Sequence, residues 1–478
     1  MFQPYDLTPL DHFSPPGHLN ISLIFSLVDK DHAQALRRVK DAITRVVSEF
    51  PFLTGMVVPS TQPDGRSNVL QVRPATAAEL KECPILVTQY HTEPTPLTVD
   101  GKYNTVLVPF PIVYPPPNPS HVLRLKANVI GDELHIVWCF DHRVIDGSGF
   151  ATLAFAFASF CRDLNAPRPS ASAYAQEKIR HHIKEIASTA TPQDLQWTTA
   201  PPSTGKDKVS TDSSRVPISV LRVLDSRKIE KLHQACNTAL QSLPEKYTKG
   251  LSEMSLSPNL IVSALVSICS SRARSRAFPD EQESSSEIFL VANIRKALNL
   301  PQGYIGNTIV GLTSKFDVSA HPPLETLRDI HVALPLSPVG PEDIWRICNI
   351  AQTLQEESIH LGKRYAQGMI ATMSRKRDWS SFQPRWGMNS FICVSDLKKG
   401  WFYGDCGPLG DLQLFDLPFD AIPGFCWIMP DPPSASLLPH PSWRLRWNLE
   451  RAAIEHLSSD PLFQWASTPS EDRKHAKI

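Results

Sequence analysis

The sequence predicts an α/β protein with two domains of comparable size. Short strand-like runs alternate with helical patterns in both halves of the chain. At 478 residues the chain is longer than a single hydrophobic core usually supports. A stretch rich in Pro, Ser and Thr separates the halves, as expected of a long surface connection. We therefore expect domains at 1–190 and 216–478, joined by a crossover linker at 191–215.

Hydrophobic periodicity and turn residues define the elements of the first half. Asp31 is suited to cap a helix in which apolar residues recur at helical spacing. Gly131 and Asp132 separate two strand-like runs, which is typical of a hairpin. The predicted elements are strand His18–Val28, helix Asp31–Phe50, strands His121–Ile130 and Glu133–Phe140, a buried helix over 148–164 and a helix over about 174–187.

The second half repeats the alternation of strands and helices. Ser257 followed by Pro258 predicts the first turn of a long apolar helix. The predicted elements are strand Val216–Asp225, helix Ser226–Leu240, helix Ser257–Arg276, a strand that begins at Glu287, and strands Phe391–Leu397, Gly424–Pro430 and Trp443–Glu450.

Charge and composition argue against several classes of partner. Lys and Arg number 48, the same as Asp and Glu, so no net charge attracts nucleic acid or an anionic membrane. No apolar run is long enough to span a membrane, and the N-terminus lacks the features of a secretory signal. The nine cysteines form no CxxC pair, which indicates reduced, largely buried thiols and no metal site. We expect a cytoplasmic protein.

The segment CFDHRVIDGSGF (Cys139–Phe150) carries the main candidate for catalysis. It connects a predicted buried strand to a predicted buried helix, so its side chains can face a cleft. A neutral His142 imidazole can accept a proton from a hydroxyl or an amine. Asp146 either acts on His142 or turns away to pair with a cation. Gly147 is expected to supply a backbone conformation that other residues resist.

Other charged segments have simpler interpretations. His181–Glu185 (HHIKE) lies on a polar helix and is expected to be solvated. Arg272–Arg276 (RARSR) ends an apolar helix, where cations complement the helix dipole. Contact with a phosphate group is the alternative for these arginines. The sequence contains no GxSxG, P-loop or HExxH motif.

Five motifs resemble those of a known enzyme family. HRVIDG (His142–Gly147) resembles the HxxxDG motif of the BAHD acyltransferases, which transfer acyl groups from coenzyme A to alcohols or amines. Gly404–Asp411 (GDCGPLGD) is similar to the DFGxLG motif of fungal members such as the trichothecene 3-O-acetyltransferases. The remaining matches follow the family's order: Leu7–His12 (LTPLDH), Val46–Val57 (VVSEFPFLTGMV) and Val291–Asn307 (VANIRKALNLPQGYIGN).

The resemblance implies a fold and a set of residue roles. It implies two chloramphenicol-acetyltransferase-like domains, each a mixed β-sheet flanked by helices, with a channel between them and a long crossover loop. His142 would be the general base in this channel. Asp146 would point away from the chemistry and pair with Arg295, and these residues and Gly147 would support the active-site loop. Asp405 and Gly407 would belong to a structural motif remote from the reaction.

The chain departs from the family pattern near the predicted oxyanion donor. Cys406 replaces the Phe of DFG, and Val394–Asp396 stands where many members have Ser-Trp. Because a carboxylate is a poor oxyanion donor, Ser395 or a backbone N–H is the candidate. The candidates for contact with coenzyme A are Ser257, Arg272 and Arg274.

These features predict a monomeric acyl-CoA-dependent O-acyltransferase. It would move an acyl group, by default acetyl, to a hydroxyl of a fungal secondary metabolite, with no permanently bound cofactor or metal. The alternatives are N-acylation, condensation or cyclisation of a metabolite, and a non-catalytic binding protein. Asp141 before His142 argues against condensation, because the related condensation domains have a second His there. Phe140, Phe150 and Trp401 are candidates for the acceptor pocket, with core packing as the alternative for each.

Overall fold

Strands and helices alternate along the chain as the sequence predicts. The computed structural model describes residues 2–61, 65–110, 116, 118–167, 173–193, 212–242, 255–281, 285–319, 321, 330, 339–382, 390–398, 404–419, 422–432 and 442–468. Trp401 and most of the predicted crossover linker lie outside these residues.

The strands form three main sheets and a short hairpin within the described residues. In chain order they are β1 (Tyr5–Asp6), β2 (His18–Ser26), β3 (Met56–Pro59), β4 (Leu70–Arg73), β5 (Leu86–His91), β6 (Thr98–Val99), β7 (Lys102–Tyr103), β8 (Ser120–His121), β9 (Leu123–Ile130), β10 (Glu133–Asp141), β11 (Pro217–Leu224), β12 (Ser286–Asn293), β13 (Ile309–Phe316), β14 (Phe391–Asp396), β15 (Leu412–Asp416), β16 (Phe425–Met429) and β17 (Trp443–Glu450).

The helices cover the faces of these sheets and supply much of the buried apolar surface. In chain order they are α1 (Pro9–Phe13), α2 (His32–Glu49), α3 (Ala77–Glu82), α4 (Gly147–Arg162), α5 (Ala173–Thr189), α6 (Ser226–Ser242), α7 (Pro258–Ala277), α8 (Pro341–His360), α9 (Lys363–Ser374), α10 (Arg451–Ser458) and α11 (Pro461–Ala466).

The capping residues identified from sequence begin their helices in the structure. The Asp31 carboxylate accepts hydrogen bonds from the backbone N–H groups of Ala33 and Gln34 at the start of α2. Ser257 caps α7, and Pro258 occupies its first turn. The predicted hairpin joins β9 to β10 in antiparallel register, and Gly131 adopts a φ of +55° at the turn. These sequence-based predictions are confirmed.

The two large sheets contain five and six strands. The first has the order β15-β2-β10-β9-β5, and the second has the order β11-β17-β16-β14-β12-β13. Both are mixed, because β5 pairs in parallel with β9, and β14 pairs in parallel with β12 and β16. The fold class predicted from sequence, with mixed sheets flanked by helices, is confirmed.

The first portion of the chain, residues 1–190, precedes the predicted crossover linker, and the second portion is residues 216–478. The second portion contributes a strand to the first sheet. Strand β15 pairs with β2 in antiparallel register, with Phe415 opposite Leu23. It leaves β2 in the interior of the sheet, between β15 and β10. The sheet that carries the candidate catalytic loop is therefore assembled from both portions of the chain.

The candidate catalytic loop lies between two rigid elements. Strand β10 ends at Asp141 and is almost entirely buried, and α4 begins at Gly147. Helix α4 packs against α2, and its buried residues include Phe150, Phe157 and Phe160. Because both flanking elements are fixed by the core, the five residues between them have little freedom to move.

Three global features bear on the function classes considered above. Within the described residues, no helix combines the length and apolar character needed to cross a membrane. In the same part of the chain, His, Cys, Asp and Glu side chains form no cluster suited to a metal ion. The nine cysteines are free thiols, and all except Cys83 are buried, as the sequence predicts.

Buried His12 in α1 leads to a prediction about stability in acid. The residue is 4% exposed, and burial lowers its pKa from 6.5 to about 4. Between these values the unfolded chain binds a proton that the folded chain excludes, so stability rises with pH in this window. The contribution is complete above pH 6.5 and is lost as the pH falls toward 4. For this group we expect the free energy of unfolding to fall by up to about 1.4 kcal/mol per pH unit.

Urea unfolding between pH 7 and 5 measures this slope. His12→Gln should make the pH dependence shallower by about one proton. His181→Gln is the control, because the side chain of His181 is 76% exposed. An unchanged slope in His12→Gln would contradict the prediction.

Candidate active site

A cavity of about 810 Å³ lies between the elements of the two portions of the chain. Its wall is mainly aliphatic and aromatic, with a few polar side chains, as in many sites for small organic ligands. His142 and Ser148 contribute from the catalytic loop and α4, and Ser395 contributes from β14. The apolar wall includes Phe13, Leu19, Phe140, Val291, Phe419 and Trp427.

His142 presents one ring nitrogen to this cavity. Its backbone N–H donates to the carbonyl of Gly17, and its own carbonyl accepts from the Nδ2 of Asn307. Nδ1 is buried and has no hydrogen-bond partner of normal geometry among the described residues. Since the residue lines the cavity, Nε2 is the nitrogen available to a ligand.

Burial lowers the pKa of His142 below its ordinary value. The backbone carbonyls of His142 and Ile145 and the carboxylates of Asp146 and Asp141 act in the opposite direction and only partly offset this effect. The imidazole is therefore neutral near pH 7. A neutral imidazole with an accessible nitrogen is able to act as a general base.

Asp146 points away from the cavity and into a buried ion pair. Arg295 donates from Nη1 and Nη2 to the two carboxylate oxygens, each at 2.8 Å. Both side chains are 0% exposed. The carboxylate also caps α4 through the N–H of Gly149 at 2.7 Å and accepts from the N–H of Thr308 at 3.1 Å. Of the two roles left open by the sequence, the structure places Asp146 in the scaffold.

Arg295 connects the catalytic loop to a distant segment. Beyond the ion pair, its Nη2 donates to the carbonyls of Tyr304 and Gly306 at 2.7 and 2.9 Å. Both terminal nitrogens of this buried guanidinium are hydrogen-bonded, and such a network holds a local structure in one arrangement. Arg295 therefore fixes the 304–306 segment against the start of α4.

The expectation that Gly147 needs an unusual backbone conformation is wrong. Gly147 is the first residue of α4, its φ is not in the left-handed region, and an added Cβ would meet only Leu397 at 3.4 Å. The demanding position is Gly149, where an added Cβ would lie 2.0 Å from the carbonyl oxygen of Ile305. Helix α4 approaches the 304–306 segment so closely that only glycine fits there.

Asp141, the residue before His142, has a separate role. Burial alone would raise the pKa of Asp141, but the Arg143 guanidinium and the hydrogen bonds to Arg143 and Ser120 lower it to about 2. Arg143 Nη2 lies 2.6 Å from one carboxylate oxygen, and the Ser120 hydroxyl donates to the same oxygen at 2.7 Å. Asp141 is thus a buried anion that anchors the end of β10.

Polar side chains from both portions of the chain meet at the cavity. Asn293 Nδ2 donates to the hydroxyl of Ser148 at 2.8 Å, and both residues line the cavity. Ser395, the predicted oxyanion candidate, lines the same cavity from the end of β14 together with Asp396. The structure therefore brings His142 and Ser395 to one cavity from different sheets.

Asp405 and Gly407 lie away from this cavity. The Asp405 carboxylate accepts from the N–H of Gly407 at 2.7 Å, and its carbonyl accepts from Arg162 at the end of α4. Gly407 has a φ of +59°, and an added Cβ would lie 2.8 Å from the Cα of Arg162. This motif packs against the C-terminal end of α4, opposite the end that carries the catalytic loop.

Gly407→Ala is expected to destabilise the fold. A side chain at positive φ costs about 1–3 kcal/mol, and here it would also press on the backbone of α4. Gly404→Ala is the matched control, because an added Cβ at Gly404 has open space and its φ is not in the left-handed region. Urea unfolding of the two variants measures the difference. Equal stabilities would contradict a structural role for this turn.

The three candidates for contact with coenzyme A lie outside the cavity wall. Ser257 is the exposed N-cap of α7, and Arg272 is paired with Asp343. Arg274 is 3% exposed and donates to both oxygens of Glu450 and to the carbonyl of Phe391. Direct contact between Arg274 and a surface ligand is incompatible with this burial, so that prediction is corrected.

The aromatic candidates for the pocket separate into two groups. Phe140 lines the cavity, whereas Phe150 stacks behind it at 5.6 Å between ring centroids and is 0% exposed. Phe150 is therefore a core residue. Nothing in the sequence around Asn307 indicates a role for it, and in the structure its amide lies against the backbone of His142.

Sequence comparisons give relatives along nearly the whole chain. Residues 108–321 match the family described as the Transferase family. The chain is 26% identical to the communesin N16 acyltransferase cnsK of Penicillium expansum, with 97% of this chain and 98% of that protein covered. It is also 26% identical to the fumigaclavine B O-acetyltransferase easN of Aspergillus fumigatus, with 97% of each chain covered.

Solved structures share the fold at low sequence identity. TRI101 of F. sporotrichioides, complexed with coenzyme A and T-2, superposes with a TM-score of 0.68 at 16% identity, covering 97% of this chain and 98% of that one. Vinorine synthase superposes with a TM-score of 0.58 at 14% identity, covering 98% of this chain and 94% of that one. These similarities establish the architecture of the chain.

Proposed function

Since the chain belongs to the BAHD-type acyltransferases, in the fungal branch of that family, we propose that it transfers an acyl group from acyl-CoA to a hydroxyl of a fungal secondary metabolite. Acetyl is the default group, because relatives that align over nearly the whole chain are named O-acetyltransferases. The observation that carries the proposal is His142, neutral and partly buried, with Nε2 available to an apolar cavity.

In the proposed reaction His142 moves one proton. Nε2 takes the proton from the acceptor hydroxyl as its oxygen attacks the thioester carbonyl. The tetrahedral intermediate collapses, the carbon–sulfur bond breaks, and the thiolate of coenzyme A leaves. The imidazolium returns the proton to this thiolate. No charge remains on the enzyme, so it is ready for another turnover.

The negative charge on the carbonyl oxygen requires a donor during this sequence. Ser395 lines the same cavity, and its hydroxyl is our candidate for that role. Asp396 beside it cannot donate when ionised. Helix α4 begins at Gly147, so the positive end of its dipole also points toward the loop that carries His142.

The cavity indicates the class of acceptor. A volume of about 810 Å³ with an apolar wall fits a multi-ring organic molecule that carries few polar groups. A cavity of this composition binds the scaffold through apolar burial and leaves orientation to its few polar side chains. We propose that such a molecule binds as the acceptor, and that the enzyme acts as a cytoplasmic monomer.

Release of coenzyme A tests the proposed function. Purified protein is incubated with acetyl-CoA and a panel of polycyclic alcohols and amines, and free thiol and acylated product are measured. Ester formation supports the proposal, and amide formation would favour N-acylation by the same base. Binding of acetyl-CoA without thiol release in any reaction would instead favour a non-catalytic binding protein.

A further inference from the structure

Asn307 forms a buried polar junction beneath the catalytic loop. It is 0% exposed, and its Nδ2 donates to the carbonyl of His142 at 2.9 Å. The same Nδ2 lies 3.2 Å from Asp11 Oδ1, which also accepts from the backbone N–H of Asn307 at 2.9 Å. Helix α1, the 304–307 segment and the catalytic loop therefore meet at one side chain.

The orientation of this amide is determined by its neighbours. Its Oδ1 accepts from the hydroxyl of Ser14 at 2.5 Å, on the side opposite the two acceptors of Nδ2. Exchanging the amide oxygen and nitrogen would place an acceptor against the His142 carbonyl and Asp11, which is unfavourable. Nδ2 is thus the atom that faces His142.

Asp11 is itself held in place from two directions. Its second carboxylate oxygen accepts from the N–H and the hydroxyl of Thr8 at 2.7 and 2.8 Å, in the capping box of α1. Asp11 is 2% exposed. Because both oxygens are used, the carboxylate cannot rotate without losing bonds, and it fixes the amide of Asn307.

The carbonyl that Asn307 holds belongs to the candidate base. This carbonyl and that of Ile145 act to raise the pKa of the imidazole, although neither makes a hydrogen bond of normal geometry with Nδ1, the buried ring nitrogen. A proton on Nδ1 leaves the lone pair of Nε2 directed at the cavity. The opposite tautomer would place a donor where the base is needed.

We propose that Asn307 is a positioning residue for His142: its Nδ2 fixes the backbone carbonyl that keeps the imidazole proton on Nδ1, so that basic Nε2 faces the acceptor. The inference rests on the proposed role of His142 as general base. Under this proposal, the hydrogen bonds between Asp11 and Asn307 contribute to catalysis as well as to the stability of the fold.

The carboxylates that act on the His142 ring make no contact with the Asn307 side chain. The carboxylates that act on the ring are Asp141 and Asp146, which are paired with Arg143 and Arg295 respectively. Asp11 approaches through Asn307 alone in this network. A change in the pH profile of an Asn307 variant would therefore report on the amide.

Asn307→Leu removes the donor and keeps the branching at Cγ and the number of side-chain heavy atoms. We expect kcat to fall at least about tenfold, toward the loss of about 10² to 10⁴ expected when a general base is removed. KM for acetyl-CoA should stay within about twofold, and the acid limb of the kcat profile should move. Asn307→Ser leaves space for a water molecule and should therefore retain part of the rate that Asn307→Leu loses. It is the variant to measure if Asn307→Leu fails to fold.

Asn128→Leu is the matched control for these changes. Asn128 is also 0% exposed and donates to the carbonyl of Leu107, but it does not line the cavity. It should lose stability with kcat and the pH profile preserved. Variants of Asn307 with kcat within twofold of wild type and an unchanged acid limb would overturn the proposal.

A spectroscopic readout separates this inference from the proposed function. The ring nitrogens of ¹⁵N-labelled histidine report which nitrogen carries the proton, and a His142→Ala sample identifies the signal of His142. Wild type should show the Nδ1-protonated form, and Asn307→Ser a mixture of the two tautomers. An unchanged tautomer in that variant would overturn the proposal, even if the panel of acceptors contained no productive one. Absence of turnover in wild type would count only against the proposed function.

Discussion

His142→Ala is expected to lower kcat by at least about 10² and by up to about 10⁴, the range typical of a positioned general base. The acceptor hydroxyl would then have no neutral imidazole to take its proton as the new bond forms. Because His142 lies in a cavity wall and not in the packed core, the free energy of unfolding should change little. Initial rates of thiol release at saturating acetyl-CoA measure the loss.

Binding and pH dependence make this result specific. Calorimetric titration with acetyl-CoA should give similar affinities for His142→Ala and wild type. In wild type, kcat should fall as the pH drops through the pKa of His142, which burial keeps below its ordinary value of 6.5. That acid limb should be absent from the residual activity of the variant. A kcat near the wild-type value would exclude His142 as the base.

Arg295→Met is expected to be among the most destabilising single substitutions in the described part of the chain. It would leave Asp146 buried without its partner, and breaking a buried ion pair in this way typically costs about 3–5 kcal/mol. Many proteins have only about 5–15 kcal/mol of stability in total. Urea unfolding measures the effect. If the variant is already largely unfolded without urea, the yield of folded protein is measured instead.

Two further variants identify the cause. Lys296→Met is the matched control, since Lys296 is the exposed neighbour of Arg295 and should tolerate the change. Asp146→Asn keeps an acceptor for only one of the N–H groups of Gly149 and Thr308, which bond different carboxylate oxygens. It leaves Arg295 its two carbonyl acceptors, so it should be less harmful than Arg295→Met. We expect Asp146→Asn to reduce stability more than it shifts the pH profile. A shifted kinetic pKa with unaltered stability would give Asp146 a direct part in catalysis.

The sequence predicted those parts of the fold that depend on local signals. Asp31 and Ser257 mark helix starts because their side chains satisfy nearby backbone N–H groups. The hairpin at Gly131 is recognisable because two alternating runs flank a turn residue. The pairing of Asp146 with Arg295 came from a family resemblance, since nothing in the spacing of two residues so far apart indicates contact.

The missed features depend on contacts between distant segments. Strands β1 and β8 have two residues each, which is too short for a periodic pattern, and they exist only because β4 and β3 lie beside them. The need for glycine at Gly149 arises from the Ile305 carbonyl, which no local pattern reveals. The role proposed for Asn307 likewise depends on contacts among three segments that are distant from one another in the sequence. The domain boundaries near 190 and 216 stay a proposal.

Strand β15 has a consequence for how the protein is made. Its partner β2 is synthesised several hundred residues before residues 412–416 leave the ribosome. At about 5–20 residues per second, the edge of β2 stays unpaired for tens of seconds. An open apolar edge of this kind attracts other strands. We therefore expect the nascent segment that contains β2 to bind chaperones, and the candidate catalytic loop to acquire its final setting only after residues 412–416 have been made.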